Sequence, residues 1–305
     1  VENIVGMKDT SGDITLTAEF IRRTRDVGFK VFGGKDALLY ASLCHGAVGG
    51  VCTAIQLKGK VADEMVLRRY TAMKCSLGEN PKCAKNGFTS RMGTAYHLRK
   101  CLEEAMDYRH SKEEAMESGA YFKRDLGMEN MLRVINREMP IHVHVHRSDD
   151  ICTAIRIAKE YDLDMVLVHC PDGIAVADYL AENPYPVIVG PGMTPRSKQE
   201  TWNKTYATAG VLSKAGLKVC LTADHDVTPL YFLTVYAGLA VRYGMDEVEA
   251  LKAITLNPAQ VMGIDGRKGQ LKEGLDADIV IWNKHPFAHD VAVERVLLNG
   301  AWVEN

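Results

Sequence analysis

No run of apolar residues in this chain is long enough to span a bilayer, and its N-terminus carries no apolar leader. The sequence therefore gives no reason to expect a membrane partner. Charge of one sign is also missing. With 37 Lys and Arg against 39 Asp and Glu, the formal net charge is −2 and the pI is near 6.6. Neither value offers nucleic acid or an acidic lipid surface an electrostatic foothold. The eight cysteines, at 44, 52, 75, 83, 101, 152, 170 and 220, include no Cys-x-x-Cys pair. In a chain of 305 residues a disulfide framework is not needed, so these cysteines are expected to be reduced thiols of a cytoplasmic protein. There is no internal repeat and no low-complexity segment. The chain opens on Val1, as a fragment or a processed chain would.

What is present is the composition of a globular protein, 47% hydrophobic and 25% charged, with enough length for a large core. The pattern alternates strand and helix. NIVGMKD, FKVFGG and AVGGVCTA read as strands separated by the helical stretches TLTAEFIRRTRDVG and DALLYASLCHG. Residues 61–75 bring another strand, GENPKCAKNGFTSRMG a long polar loop, and TAYHLRKCLEEAMDYRHSKEEAMES a helix with a solvated, Glu/Lys-rich end. From His142 onward IHVHVH, DMVLVHC, PVIVGPG and LKVCLTADHD each lead into a helical segment. MDEVEALKAITLNPAQVMGI is an amphipathic helix with a break expected at NPA, and the last forty residues turn β-rich. Short loops and βα alternation predict an α/β fold, a (β/α)8 TIM-like barrel, chimeric or incomplete, with a small C-terminal β-rich appendage. The expected division is three barrel units over 1–54, further barrel units over 55–264, and a C-terminal β-sandwich remnant over 265–305.

Three of the strand-like segments end in a metal ligand: PIHVHVHRSDD (140–150), MVLVHC (165–170) and VCLTADHD (219–226). His144, His169 and Asp224 thus stand where strands give way to loops, the rim on which barrel active sites are built. Two imidazoles and a carboxylate suit Zn²⁺ or another divalent ion. Alternate strand residues share a face, so His142, His144 and His146 point the same way. A lone interior histidine is more often a satisfied core residue than a ligand, but three on one face are costly unless something uses them. His146, Arg147, Arg196, Lys198 and His225 lie in rim loops, where cationic groups would suit a substrate carboxylate. A solvated loop is the competing reading for Arg196 and Lys198.

From about residue 53 to the end the sequence resembles the metal-dependent amidohydrolase superfamily, in its imidazolonepropionase-like and prolidase-like branch. The resemblance rests on these strand-end residues and on GQLKEGLDADIVIW (269–282), which is similar to the superfamily's closing signature. It implies that His144 and His169 are the metal ligands after strands five and six. Asp224 would be the strand-eight Asp, which binds metal and shuttles the proton of the attacking water. Lys74 falls where the branch has a Lys that, when carboxylated, bridges two metals. The implied activity is hydrolysis of carbon–nitrogen bonds, in cyclic amides, N-acyl compounds or dipeptides, with one or two ions. The substrate would be a small molecule, and a homo-oligomer is left open.

The superfamily's opening HxH is missing: the earliest histidine is the isolated His45. Residues 3–53 instead resemble the dihydrodipicolinate synthase and N-acetylneuraminate lyase family, whose strand-six motif NIVGMKDTSGD matches, with Lys8 at the imine-forming position. FKVFGGKD and HGAVGGV match that family's next two strands. Its Thr-Thr segment and strand-five Tyr have no counterpart here, so Lys8 stands without the groups that would relay its protons. A desolvated lysine of lowered pKa is what such chemistry requires. Three readings follow: a metal-dependent C–N hydrolase, a Schiff-base lyase using Lys8, and a truncated barrel without activity.

Overall fold

The computed structural model describes residues 6–9, 30–33, 51–56, 60–82, 89–225 and 227–303. The two N-terminal helical stretches and the middle of the polar loop lie outside these residues. Strands β1 (Gly6–Asp9) and β2 (Lys30–Gly33) pair in parallel, with Lys8 opposite Phe32. Six further strands are hydrogen-bonded in sequence order: β3 (Val51–Ile55), β4 (Val66–Ser76), β5 (Ile141–Val145), β6 (Met165–His169), β7 (Val187–Val189) and β8 (Val219–Leu221). The ladders β4–β5, β6–β7 and β7–β8 are parallel. Sequential parallel pairing with helical crossovers is the wall construction of a barrel, and these six strands form a curled half of one.

The chain forms two compact units. The first comprises 1–52, 72–145 and 152–165. Its long helix α1 (Arg91–Ser118) starts at Ser90, whose side chain accepts a hydrogen bond from the Gly93 amide, and ends at Gly119, where φ is +70°. Only a narrow stripe of α1, with Leu102 and Ala105, is buried; its acidic end, Glu113, Glu114 and Glu117, faces water. Helix α2 (Leu126–Ile135), capped by Asp125, buries Met131, Leu132 and Val134. Every residue of β5 is buried, as a strand covered on both faces requires.

The second unit comprises 53–71, 146–151 and 166–305. Here β6 to β8 carry Leu167, Val187 and Val219, all buried, and each such side chain contributes about 1.5–3 kcal/mol. The amphipathic helix expected over 245–264 is two helices, α3 (Glu247–Ile254) and α4 (Leu256–Val261), broken at Thr255. Pro258 causes the break from three residues downstream, because it has no N–H to donate to the Ile254 carbonyl. The β-rich end is a three-stranded antiparallel sheet of β9 (Ile279–Trp282), β10 (Val293–Leu298) and β11 (Ala301–Trp302). Residues 269–278, within the tail expected to be β-rich, are turns, bends and coil beside Lys268, whose Nζ reaches Asp278 and Asn299. Residues 61–65, also expected as strand, include a single helical turn, Ala62–Met65, ahead of β4. Among the described residues no helix is long and apolar enough to cross a membrane.

Candidate metal centre

Strand periodicity places the histidines. In the β4–β5 ladder Lys74 stands opposite His142 and Ser76 opposite His144, so these four residues share one sheet face. His146 follows one residue after β5 ends, and His169 is the last residue of β6. His142, His144, His146 and His169 are all buried.

One ligand atom from each of His144, His146 and His169 lies within 4.8 Å of the others. The rings of His146 and His169 meet edge to face, with centroids 5.4 Å apart. Two of these rings are held from behind. His169 Nδ1 bonds to the Gly190 carbonyl beyond β7, and His146 Nδ1 lies 2.6 Å from Oε1 of Glu200, in a turn of the loop between β7 and β8. A carbonyl or carboxylate accepts, so Nδ1 carries the proton in each ring and Nε2 keeps its lone pair. The third ring has an amide beside it, with Asn80 Nδ2 2.8 Å from His144 Nε2. His144 offers Nδ1 to an ion when Nε2 carries the proton and the Asn80 amide is turned so that its oxygen accepts it. Imidazoles with the far nitrogen engaged by a carbonyl or carboxylate are the usual donor set for Zn²⁺ and similar ions, so His146 and His169 fit a divalent cation, and His144 joins them in the tautomer with Nε2 protonated.

The backbone is bent where β6 and β8 end. His169 and Cys170 have φ of +79° and +45°, and Asp224 has +49°. Such values are uncommon for residues with side chains and cluster at functional sites. Cys170 is fully buried, and burial pushes its thiol well above the usual range. It is not one of the clustered ligands. Gly173 sits against it, and the space there is filled by Leu212.

The other expected residues are placed as follows. Asp224 lies just past β8, half-buried, its amide bonded to Thr222 Oγ1; it is not among the three clustered ligands. Lys74 is half-buried on β4. Arg147 is exposed and paired with Asp149 at 3.0 Å. Arg196 and Lys198 are exposed, the former donating to the Lys204 carbonyl and the latter placed at the start of the Glu200 turn. His225 is exposed. The side chain of Lys8 lies outside the described residues. Glu200, Asn80 and Gly190 were not singled out by the sequence. An acid in KQETWNK looks like any solvated loop carboxylate, and only the fold turns it inward.

An amidohydrolase from Thermotoga maritima MSB8 has a crystal structure that matches with 37% sequence identity and a TM-score of 0.79, over 85% of this chain and 70% of that one. The amidohydrolase tasK of Hapsidospora irregularis is 25% identical over 252 residues, 76% of this chain and 26% of the relative. An imidazolonepropionase of Thermoplasma volcanium is 34% identical over 111 residues, 33% of this chain and 27% of the relative. The chain thus spans about a quarter of the length of these two curated relatives. Residues 1–76, a stretch reaching through β4, match the dihydrodipicolinate synthetase family. Residues 134–303, which include β5 to β11 and all three clustered histidines, match the amidohydrolase family, and to that family the chain belongs.

Proposed function

We propose that this chain forms the metal-binding part of a hydrolase that cleaves carbon–nitrogen bonds of small molecules. The observation that carries the reading is the convergence of three buried imidazoles where β5 and β6 end. In this reading His144 and His169 hold the ion, His146 stands at its edge, and Lys74, carboxylated, would bridge to a second ion. A bound Zn²⁺ or similar ion supplies an activated water at neutral pH and polarises the scissile carbonyl. Asp224 accepts the proton of the attacking water at its carboxylate and returns it to the leaving nitrogen. Arg147, Arg196, Lys198 and His225, exposed in the rim loops, suit a substrate carboxylate. The fold that goes with this reading is a closed (β/α)8 barrel. Residues 1–54 supply three units, 55–264 the rest, and 265–305 an appendage built on β9 to β11. Buried thiols at Cys170 and Cys220 accord with a reducing, cytoplasmic setting.

The test is elemental analysis of the full chain beside a His144→Ala, His169→Ala double variant, followed by a screen of cyclic amides, N-acyl amino acids and dipeptides. One or two equivalents of metal in the parent and none in the variant are expected. Equal metal in both overturns the reading. The match of residues 1–76 favours a second reading, a lyase acting through a Lys8 imine, which borohydride trapping with pyruvate would reveal.

A further inference from the structure

Glu200 is among the most deeply buried charged residues described, with only 1% of its side chain exposed. It comes from an otherwise polar loop: Arg196, Lys198, Trp202 and Asn203 around it are all exposed or partly so. A carboxylate taken out of water is costly unless a partner compensates it. The partner is His146, at a distance typical of a charge-assisted bond. The loop is tied down a second time, by Asn203 Nδ2 donating to Asp172, whose other oxygen accepts from the Ser148 amide. Both ties reach residues that follow strand ends, so the loop is held against the β5 and β6 termini by the groups that would otherwise favour solvent.

We propose that Glu200 is the positioning residue for His146, a role that rests on the metal-site reading above. Its carboxylate fixes the proton on Nδ1 and aims Nε2 toward the ring of His169. Its negative charge offsets part of the charge of a cation held there. Without it the ring is free to take the other tautomer, with Nε2 protonated and unable to bind metal. Such outer carboxylates are worth about 10–100-fold in metal affinity. The loop of residues 191–206 therefore completes the centre from outside the sheet.

The experiment uses the full chain and Zn²⁺ alone, titrated against a competing chelator. It compares the parent with Glu200→Gln, Glu200→Asp, His146→Ala and His169→Ala. Long-range ¹H–¹⁵N spectra of histidine-labelled, metal-free protein report the tautomer of His146. Glu200→Gln is expected to weaken Zn²⁺ about 10–100-fold and to change the His146 tautomer signal, with Glu200→Asp recovering part of both. If Glu200→Gln and Glu200→Asp bind Zn²⁺ as the parent does while His169→Ala does not, the role of Glu200 is overturned and the metal site stands. If His169→Ala also binds like the parent, the site reading itself fails. Should Glu200→Gln not fold, Glu200→Asp decides: an affinity below the parent's together with a changed His146 tautomer signal is the expected result, and parental affinity, or a loss of affinity with an unchanged tautomer signal, overturns the proposal.

Discussion

The Gly190 carbonyl accepts the hydrogen bond from His169 Nδ1, so the end of β7 holds a side chain from the end of β6. This works only because Gly190 is a glycine. Its φ is +130°, and a Cβ there would meet the Thr222 carbonyl oxygen at 2.2 Å and the Tyr236 ring at 3.0 Å. The glycine, the carbonyl and the imidazole form one device, in which a backbone conformation sets a ring orientation.

Gly190→Ala is accordingly expected to be severe. The clash is with backbone, which cannot swing aside, and the positive φ adds strain. We expect a loss of more than about 3 kcal/mol in urea unfolding, with weakened Zn²⁺ binding in whatever folded protein remains. A variant that unfolds and binds Zn²⁺ like the parent would show that the His169 ring does not depend on Gly190.

Removing metal should lower stability through mass action. A ligand present at a hundredfold its Kd stabilises the state that binds it by about 2.7 kcal/mol. Melting curves with and without a chelator should therefore separate in the parent and coincide in His169→Ala. Coincident curves in the parent would mean that the folded chain holds no ion.

Cys170 neighbours His169 but lies beside Gly173 and is not one of the clustered ligands. Cys170→Ala should keep parental Zn²⁺ affinity and lose about 1–2 kcal/mol of packing. A loss of metal equal to that of His169→Ala would make the thiol a ligand and the cluster larger than three imidazoles.

These contrasts show what was legible in the chain. His144 and His169 could be picked out as candidates because strand periodicity and a strand end are local features, each visible in about six residues. His146 was visible too, as the third member of one face. Glu200 and Asn80 were out of reach because their partners lie 54 and 64 residues away, in loops whose composition is that of any wet surface. The break at Thr255 could be anticipated from Pro258, since a missing donor acts at a fixed spacing. Residues 269–278 lie in the tail expected to be β-rich yet form no strand, because the Lys268 contacts with Asp278 and Asn299 that hold them are tertiary.

A pH dependence should arise away from the metal centre, where α2 meets α1. Glu129 accepts hydrogen bonds from Lys112 Nζ at 2.6 Å and from the Tyr108 hydroxyl at 3.0 Å. The lysine holds its carboxyl below the ordinary value near 4.5; partial burial opposes this, and the Tyr108 bond and the nearby Arg124 charge reinforce it. A depressed folded pKa means that the unfolded chain binds the proton more readily. The contribution is therefore fully present above the unfolded value and is lost as pH falls through the lower folded value. Glu129 and Lys112 both retain some exposure, so solvent screening limits the effect to about 1 kcal/mol. Glu129→Gln should then be less stable than the parent by about that amount at pH 7, and the gap should close as pH falls below about 4. Urea midpoints of the two proteins between pH 7 and pH 3 measure it directly. A gap that stays constant across that range would mean that the loss comes from packing or hydrogen bonding alone, and that the Glu129 charge does not help hold α1 and α2 together.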